Sequence, residues 1–142
     1  MSLAPPPLQT PMLDDNQVLS MPWLLFFNQT FIGDSGNSWS PTFTNLTEVG
    51  AATIVGRYYQ ISQSLCYFNV TITPGTSTSA TAGTTYVNNF PLTATANGIC
   101  FAVSGNLGTN AGMVNSSNNR IYVPAWAAIT APLTVIGMVQ TG

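Results

Sequence analysis

The chain contains no histidine and no lysine. Those two absences remove the usual general base near neutral pH, the commonest nitrogen ligand for metals, and every Schiff-base route through a lysine amine. Charge of either sign is scarce. Arg57 and Arg120 stand against Asp14, Asp15, Asp34 and Glu48, giving a formal net charge of -2 and a charged fraction of 4%, where a soluble domain averages roughly a quarter. Two cations leave no electrostatic footprint for nucleic acid. No run approaches the roughly 18 apolar residues of a membrane-spanning helix, so membrane insertion is not expected. The first twenty residues lack a basic start followed by an apolar stretch, and the expectation is a chain made in the cytoplasm.

The reactive groups that remain are poorly placed for chemistry. Cys66 and Cys100 read as reduced, half-buried strand residues, with no basic neighbour to lower a thiol pKa. Asp14 and Asp15 are adjacent, but on a proline-rich stretch they are not held at a fixed separation across a cleft. The segment Asp34-Ser-Gly-Asn-Ser38 lacks the further acidic ligands of a calcium loop. Gly105-Asn-Leu-Gly-Thr-Asn-Ala-Gly112 has neither the lysine nor the following helix of a phosphate-binding loop. Sequons at Asn28, Asn45, Asn69 and Asn115 are what so Asn- and Thr-rich a chain supplies by chance. No catalytic residue, metal or cofactor is expected.

What the chain does have is apolar residues, 45% of 142, enough for one domain and a tail. With so little charge, its surface is made of Thr, Ser, Asn, Gln and Gly. A monomer of that kind is a poor colloid, whereas a subunit that hides surface against identical copies is not, so the composition points to an oligomer. Residues 1–19 carry Pro5, Pro6, Pro7 and Pro11, with Leu13, and read as an extended arm that anchors the chain. Residues 20–33 read as a short apolar helix. Ser20 suits the N-cap, Pro22 the first turn, and Gly33 the end, while Trp23, Leu24, Phe26, Phe27 and Phe31 recur at three- and four-residue spacings. Those side chains are the candidate assembly interface, packed against the chain's own domain, its symmetry mates, or both.

Residues 34–142 change texture to short runs of Thr, Val, Ile, Tyr and Phe broken by Gly, Asn, Ser and Pro. Strands are predicted at 42–47, 52–61, 65–73, 84–88, 92–96, 99–104, 111–114, 120–123 and 133–140. In 65–73, Cys66, Phe68, Val70 and Ile72 share one face, and a hairpin through 62–64 leads into it. In 99–104, Ile99, Phe101 and Val103 oppose Cys100, Ala102 and Ser104, so the two cysteines need not face one layer. Residues 74–83 read as a low-complexity surface loop. The fold class is all-β, an antiparallel sandwich or jelly roll with the extended arm and the one short helix. Among the aromatics, Tyr122 and Trp126 are candidates for stacking on a glycan, against structural packing as the alternative.

The residues Trp39-Ser-Pro-Thr-Phe-Thr-Asn-Leu-Thr-Glu-Val-Gly50, Gly56-Arg-Tyr58, Phe68-Asn-Val-Thr-Ile72, Ala82-Gly-Thr-Thr-Tyr-Val-Asn-Asn-Phe-Pro91 and Arg120-Ile-Tyr-Val-Pro-Ala-Trp126 resemble small bacteriophage structural proteins over most of 23–140. The resemblance is to β-rich, commonly trimeric modules of tail fibres, spikes and head decorations. It implies a non-enzymatic virion component, a homotrimer whose arm lies on other virion proteins. A tail-associated knob or adaptor that meets the host surface comes first. A capsid decoration protein and a carbohydrate-binding receptor module are the alternatives. With no heptads and no shaft repeats, an extended fibre does not fit.

Overall fold

The computed structural model describes residues 36–105 and 107–142, together with Pro11, Leu13, Ser20, Pro22 and Trp23. The chain divides into two units, residues 1–35 and 36–142. In the first, the Ser20 hydroxyl donates to the Pro11 carbonyl at 2.7 Å, Pro22 and Trp23 have helical backbone, and Pro11 and Leu13 are exposed. Pro5, Pro6, Pro7, Leu24, Phe26, Phe27 and Phe31 lie outside the described residues, as does the rest of the expected arm and helix.

The second unit is all β. Its strands are β1 (Asn37–Trp39), β2 (Phe43–Thr44), β3 (Thr47–Val49), β4 (Thr53–Ser62), β5 (Leu65–Thr73), β6 (Ser77–Ala80), β7 (Tyr86–Val87), β8 (Gly98–Ser104), β9 (Leu107–Gly108), β10 (Gly112–Asn115), β11 (Arg120–Tyr122), β12 (Trp126–Ile129) and β13 (Leu133–Gln140). A large antiparallel sheet runs β1-β4-β5-β13-β8-β10-β11-β7-β2, with β9 beside β8, and a three-stranded sheet runs β12-β6-β3. β1 and β2 stand at opposite ends of the large sheet, yet only residues 40–42 separate them. Nine flat strands would span roughly 38 Å, whereas the link from Trp39 to Phe43 reaches about 14 Å at full extension. The sheet must therefore curl until its two edges approach. Asn89 pins that corner: its Oδ1 accepts from the Thr42 amide at 2.8 Å and its Nδ2 donates to the Ser40 carbonyl at 2.8 Å.

Alternation then sets the core. In β5, Cys66, Phe68, Val70 and Ile72 are fully buried, as the two-residue period requires. Val135 and Val139 of β13, Ala102 of β8, Val114 of β10, Ile121 of β11 and Val87 of β7 join them, with Ala80 and Trp126 from the small sheet. Each fully buried large apolar side chain contributes about 1.5–3 kcal/mol. The β4–β5 hairpin turns at 63–64 with Ile61 as an extra residue, since Gln60 faces Cys66 and Ser62 faces Leu65.

Two expectations are corrected. Residues 74–83 are not simply a surface loop, because β6 pairs with both β3 and β12. Its threonine and alanine are small enough to fit where the layers come close, and Thr78 and Ala80 are buried. Residues 92–96 form no strand beyond a single bridge from Ala94 to Thr141. A side chain takes the place of a ladder: Asn119 Nδ2 donates to the carbonyls of Leu92 at 2.9 Å and Phe90 at 3.3 Å, and its Oδ1 accepts from the Ala94 amide at 2.9 Å. Strands β1 and β12 arise where no strand was expected. Both are short, and each is secured by a bulky tryptophan facing inward rather than by a run of β-forming residues.

Candidate functional site

Among the described residues, no group of three or more His, Cys, Asp or Glu side chains comes together. Glu48 is the single carboxylate side chain in this set, and it is exposed on β3. Both thiols are buried and free. Burial pushes the Cys100 thiol up to about 12 and raises that of Cys66 as well, so neither supplies a thiolate near neutral pH. Both point into the core, but they lie on β5 and β8 with β13 between them. Two strand spacings are about 9.6 Å, beyond the roughly 7 Å limit for a disulfide between α-carbons.

The outer face of the large sheet is unusual in the opposite sense. In β8 the larger side chains turn outward: Ile99 is 48% exposed and Phe101 41%, while Cys100 and Ala102 are buried. The interior has room only for small groups here. A Cβ on Gly137, the β13 neighbour of Cys100, would stand 2.5 Å from the Phe68 ring, so the core is filled by a residue reaching across from β5. Outside, Ile99 faces Met138 on one side and Met113 on the other, and Phe101 faces Ile136. Tyr67 of β5 flanks Met138. Tyr67, Ile99, Phe101, Ile136 and Met138 surround a shallow apolar depression of about 210 Å³.

No family model, curated protein or solved structure matches the chain. The site is therefore read from its own geometry.

Farther along the same outer face, beyond β10, is an aromatic shelf. Tyr86 and Tyr122 are cross-strand partners with ring centroids 5.3 Å apart, and the Arg120 guanidinium lies over the Tyr86 ring, 4.4 Å from its centroid. Asn118 Nδ2 donates to the Tyr122 hydroxyl at 3.1 Å. Hydrogen bonds from Arg120 first and Asn118 second lower the Tyr122 pKa, and Arg120's is raised in turn.

The residues singled out from sequence do not converge. Tyr122 is on this shelf, but Trp126 is 4% exposed and packs in the core from the small sheet, so it offers no ring face to a glycan. The reason is register, which places Trp126 opposite Ala80, another inward position. Of the five expected assembly-interface residues only Trp23 is described, partly buried. The outward Ile99, Phe101, Met113 and Met138 were not singled out. Their signal was present in 99–104, where both faces of one strand are apolar, as happens when one face is covered from outside.

Proposed function

We propose that this chain is a non-catalytic structural subunit that joins identical copies through the outer face of its large sheet. The observation that carries the reading is the exposed cluster of Ile99, Phe101, Met113 and Met138 in a chain with a charged fraction of 4%. Contiguous apolar surface of this kind marks an interaction site. A second copy is the favoured occupant because so few charges can contribute to recognition of a foreign partner, while a self-complementary face needs none. Each of the four is less than half exposed, so covering it is worth about half of the roughly 1.5–3 kcal/mol of full burial, and the four together still amount to several kcal/mol on each subunit. From the resemblance to phage structural modules come the finer parts of the reading: three copies, a place in the virion as a tail-associated knob or adaptor, and anchoring through residues 1–19.

Sedimentation equilibrium of the full chain is expected to give an oligomer. Phe101→Asp, which puts a charge at the centre of the face, should yield monomers with an unchanged β circular-dichroism spectrum. A monomeric parent, or a variant of unchanged mass, would overturn the reading. Anchoring is tested apart from this: removing residues 1–19 should leave the oligomer and abolish incorporation into particles, and normal incorporation would exclude the arm as the anchor.

A further inference from the structure

Beside the aromatic shelf lies a depression of about 420 Å³ walled by Ala82, Gly83, Gly112, Met113, Asn115 and Tyr122, a volume suited to a small ligand. Asn115 and Tyr122 present donors to it, and Arg120, which is not on its wall, adjoins it through Tyr122. Asn115 Oδ1 is occupied by the Ser117 amide at 2.9 Å and the Ser117 hydroxyl at 2.6 Å, so the amide end left to offer is its Nδ2. The Tyr122 oxygen accepts from both Asn118 and Arg120, which leaves its own O–H to donate outward. Arg120 keeps a planar fork of N–H groups, held flat by the Tyr86 ring, and the sole described carboxylate side chain, Glu48, is on the other sheet. An arginine fork without a described carboxylate beside it, next to a phenol and an amide that donate, is complementary to a planar anion with two acceptor oxygens. The half-buried phenol ring adds a surface on which the apolar face of a sugar can lie.

We propose that this depression binds an acidic saccharide, with the pyranose ring laid on Tyr122 and its carboxylate held by Arg120. The site uses β10, β11 and the turn before β7, and it meets the apolar cluster, which centres on β8 and β13, at Met113; binding does not rest on self-association. A Cβ on Gly83 would meet nothing within 4 Å, so the depression is open on that side.

Titration calorimetry on the full chain tests this with trigalacturonate, maltotriose and inorganic phosphate as probes. Trigalacturonate is expected to bind saturably and at least about tenfold more tightly than maltotriose, as a charge-assisted hydrogen bond worth about 1.5–3 kcal/mol requires. Arg120→Ala should lose about tenfold or more, and Arg120→Lys, which keeps charge without the fork, should fall between. Tyr122→Phe, which keeps the ring and loses the O–H, should lose less than Arg120→Ala. Equal binding of maltotriose, unchanged affinity in a folded Arg120→Ala variant, full displacement by equimolar phosphate, or no saturable heat would each overturn the assignment. The mass of the same samples, measured by sedimentation, reports on self-association separately.

Discussion

Replacing Phe68 with alanine is expected to destabilise the fold by about 3–5 kcal/mol, at the upper end for a single core truncation. Phe68 is fully buried at the centre of β5, its ring 5.4 Å from that of Phe90, and it crosses to cover Gly137 of β13. There a Cβ would stand 2.5 Å from the ring's Cζ and 2.6 Å from the Ile99 carbonyl oxygen. Glycine at 137 is thus a close-approach position, and Gly137→Ala should cost about 1–3 kcal/mol as overpacking. The two changes should not add. With the Phe68 ring gone, an alanine at 137 loses one of its two clashes and keeps the one with the Ile99 backbone, so the double variant should recover part of the summed loss. Urea denaturation of both single variants and the double variant, at one fixed chain concentration so that the proposed self-association contributes equally to each, measures the coupling. Strict additivity would show that the ring is not what excludes a side chain at 137.

The same crossing explains what could be read from the sequence and what could not. Periodicity alone identified β5 and β13 at their observed limits and the inward set of Cys66, Phe68, Val70 and Ile72, because a long strand with one apolar face has only one way to sit. β8 was found as a strand, but its orientation depends on Phe68 filling the interior over Gly137, a contact between residues sixty-nine positions apart in sequence. No local pattern carries that information. That both faces of 99–104 are apolar was legible, but which face stays outside, and with it the candidate assembly surface, was not. The shelf was visible only in part: Tyr122 was named, but Tyr86 and Arg120 join it through the β7–β11 register, and Trp126, similar in residue type, is turned inward. β6 was missed because Ser, Thr and Ala in a glycine-flanked run resemble a loop until two neighbouring strands accept it.

The surface reading and the core reading have a common origin. A sheet whose edges are joined by residues 40–42 must curl, and curling narrows the inner face while opening the outer one. Small residues such as Cys100 and Ala102 then suit the inside of β8, and bulky ones are left outside. Under the proposed function another copy of the chain covers that outer surface, and the two cations are too few to mark a broad electrostatic interface. Arg120 instead acts locally, beside rings that hold its orientation.

Asn119→Ala is the second substitution with a large expected cost, about 4–5 kcal/mol. Asn119 has φ of 55°, a left-handed conformation that costs an alanine about 1–2 kcal/mol. Its amide makes the three hydrogen bonds that hold residues 90–94, each worth about 1 kcal/mol net. Asn119→Gly separates the two contributions, since it loses the same bonds but adopts this φ without steric cost; it should be less destabilised than Asn119→Ala by about 1 kcal/mol. Amide hydrogen exchange supplies the local readout. The Ala94 amide, whose acceptor in the parent is Asn119 Oδ1, should exchange faster in both variants, while the Val70 and Val135 amides in the central ladder slow or quicken only with global stability. Unchanged protection at Ala94 would mean that the 90–94 segment is held by Phe90 and the bridge to Thr141 rather than by Asn119. Equal stability of the alanine and glycine variants would remove the backbone conformation from the argument and leave the hydrogen bonds to account for the whole loss.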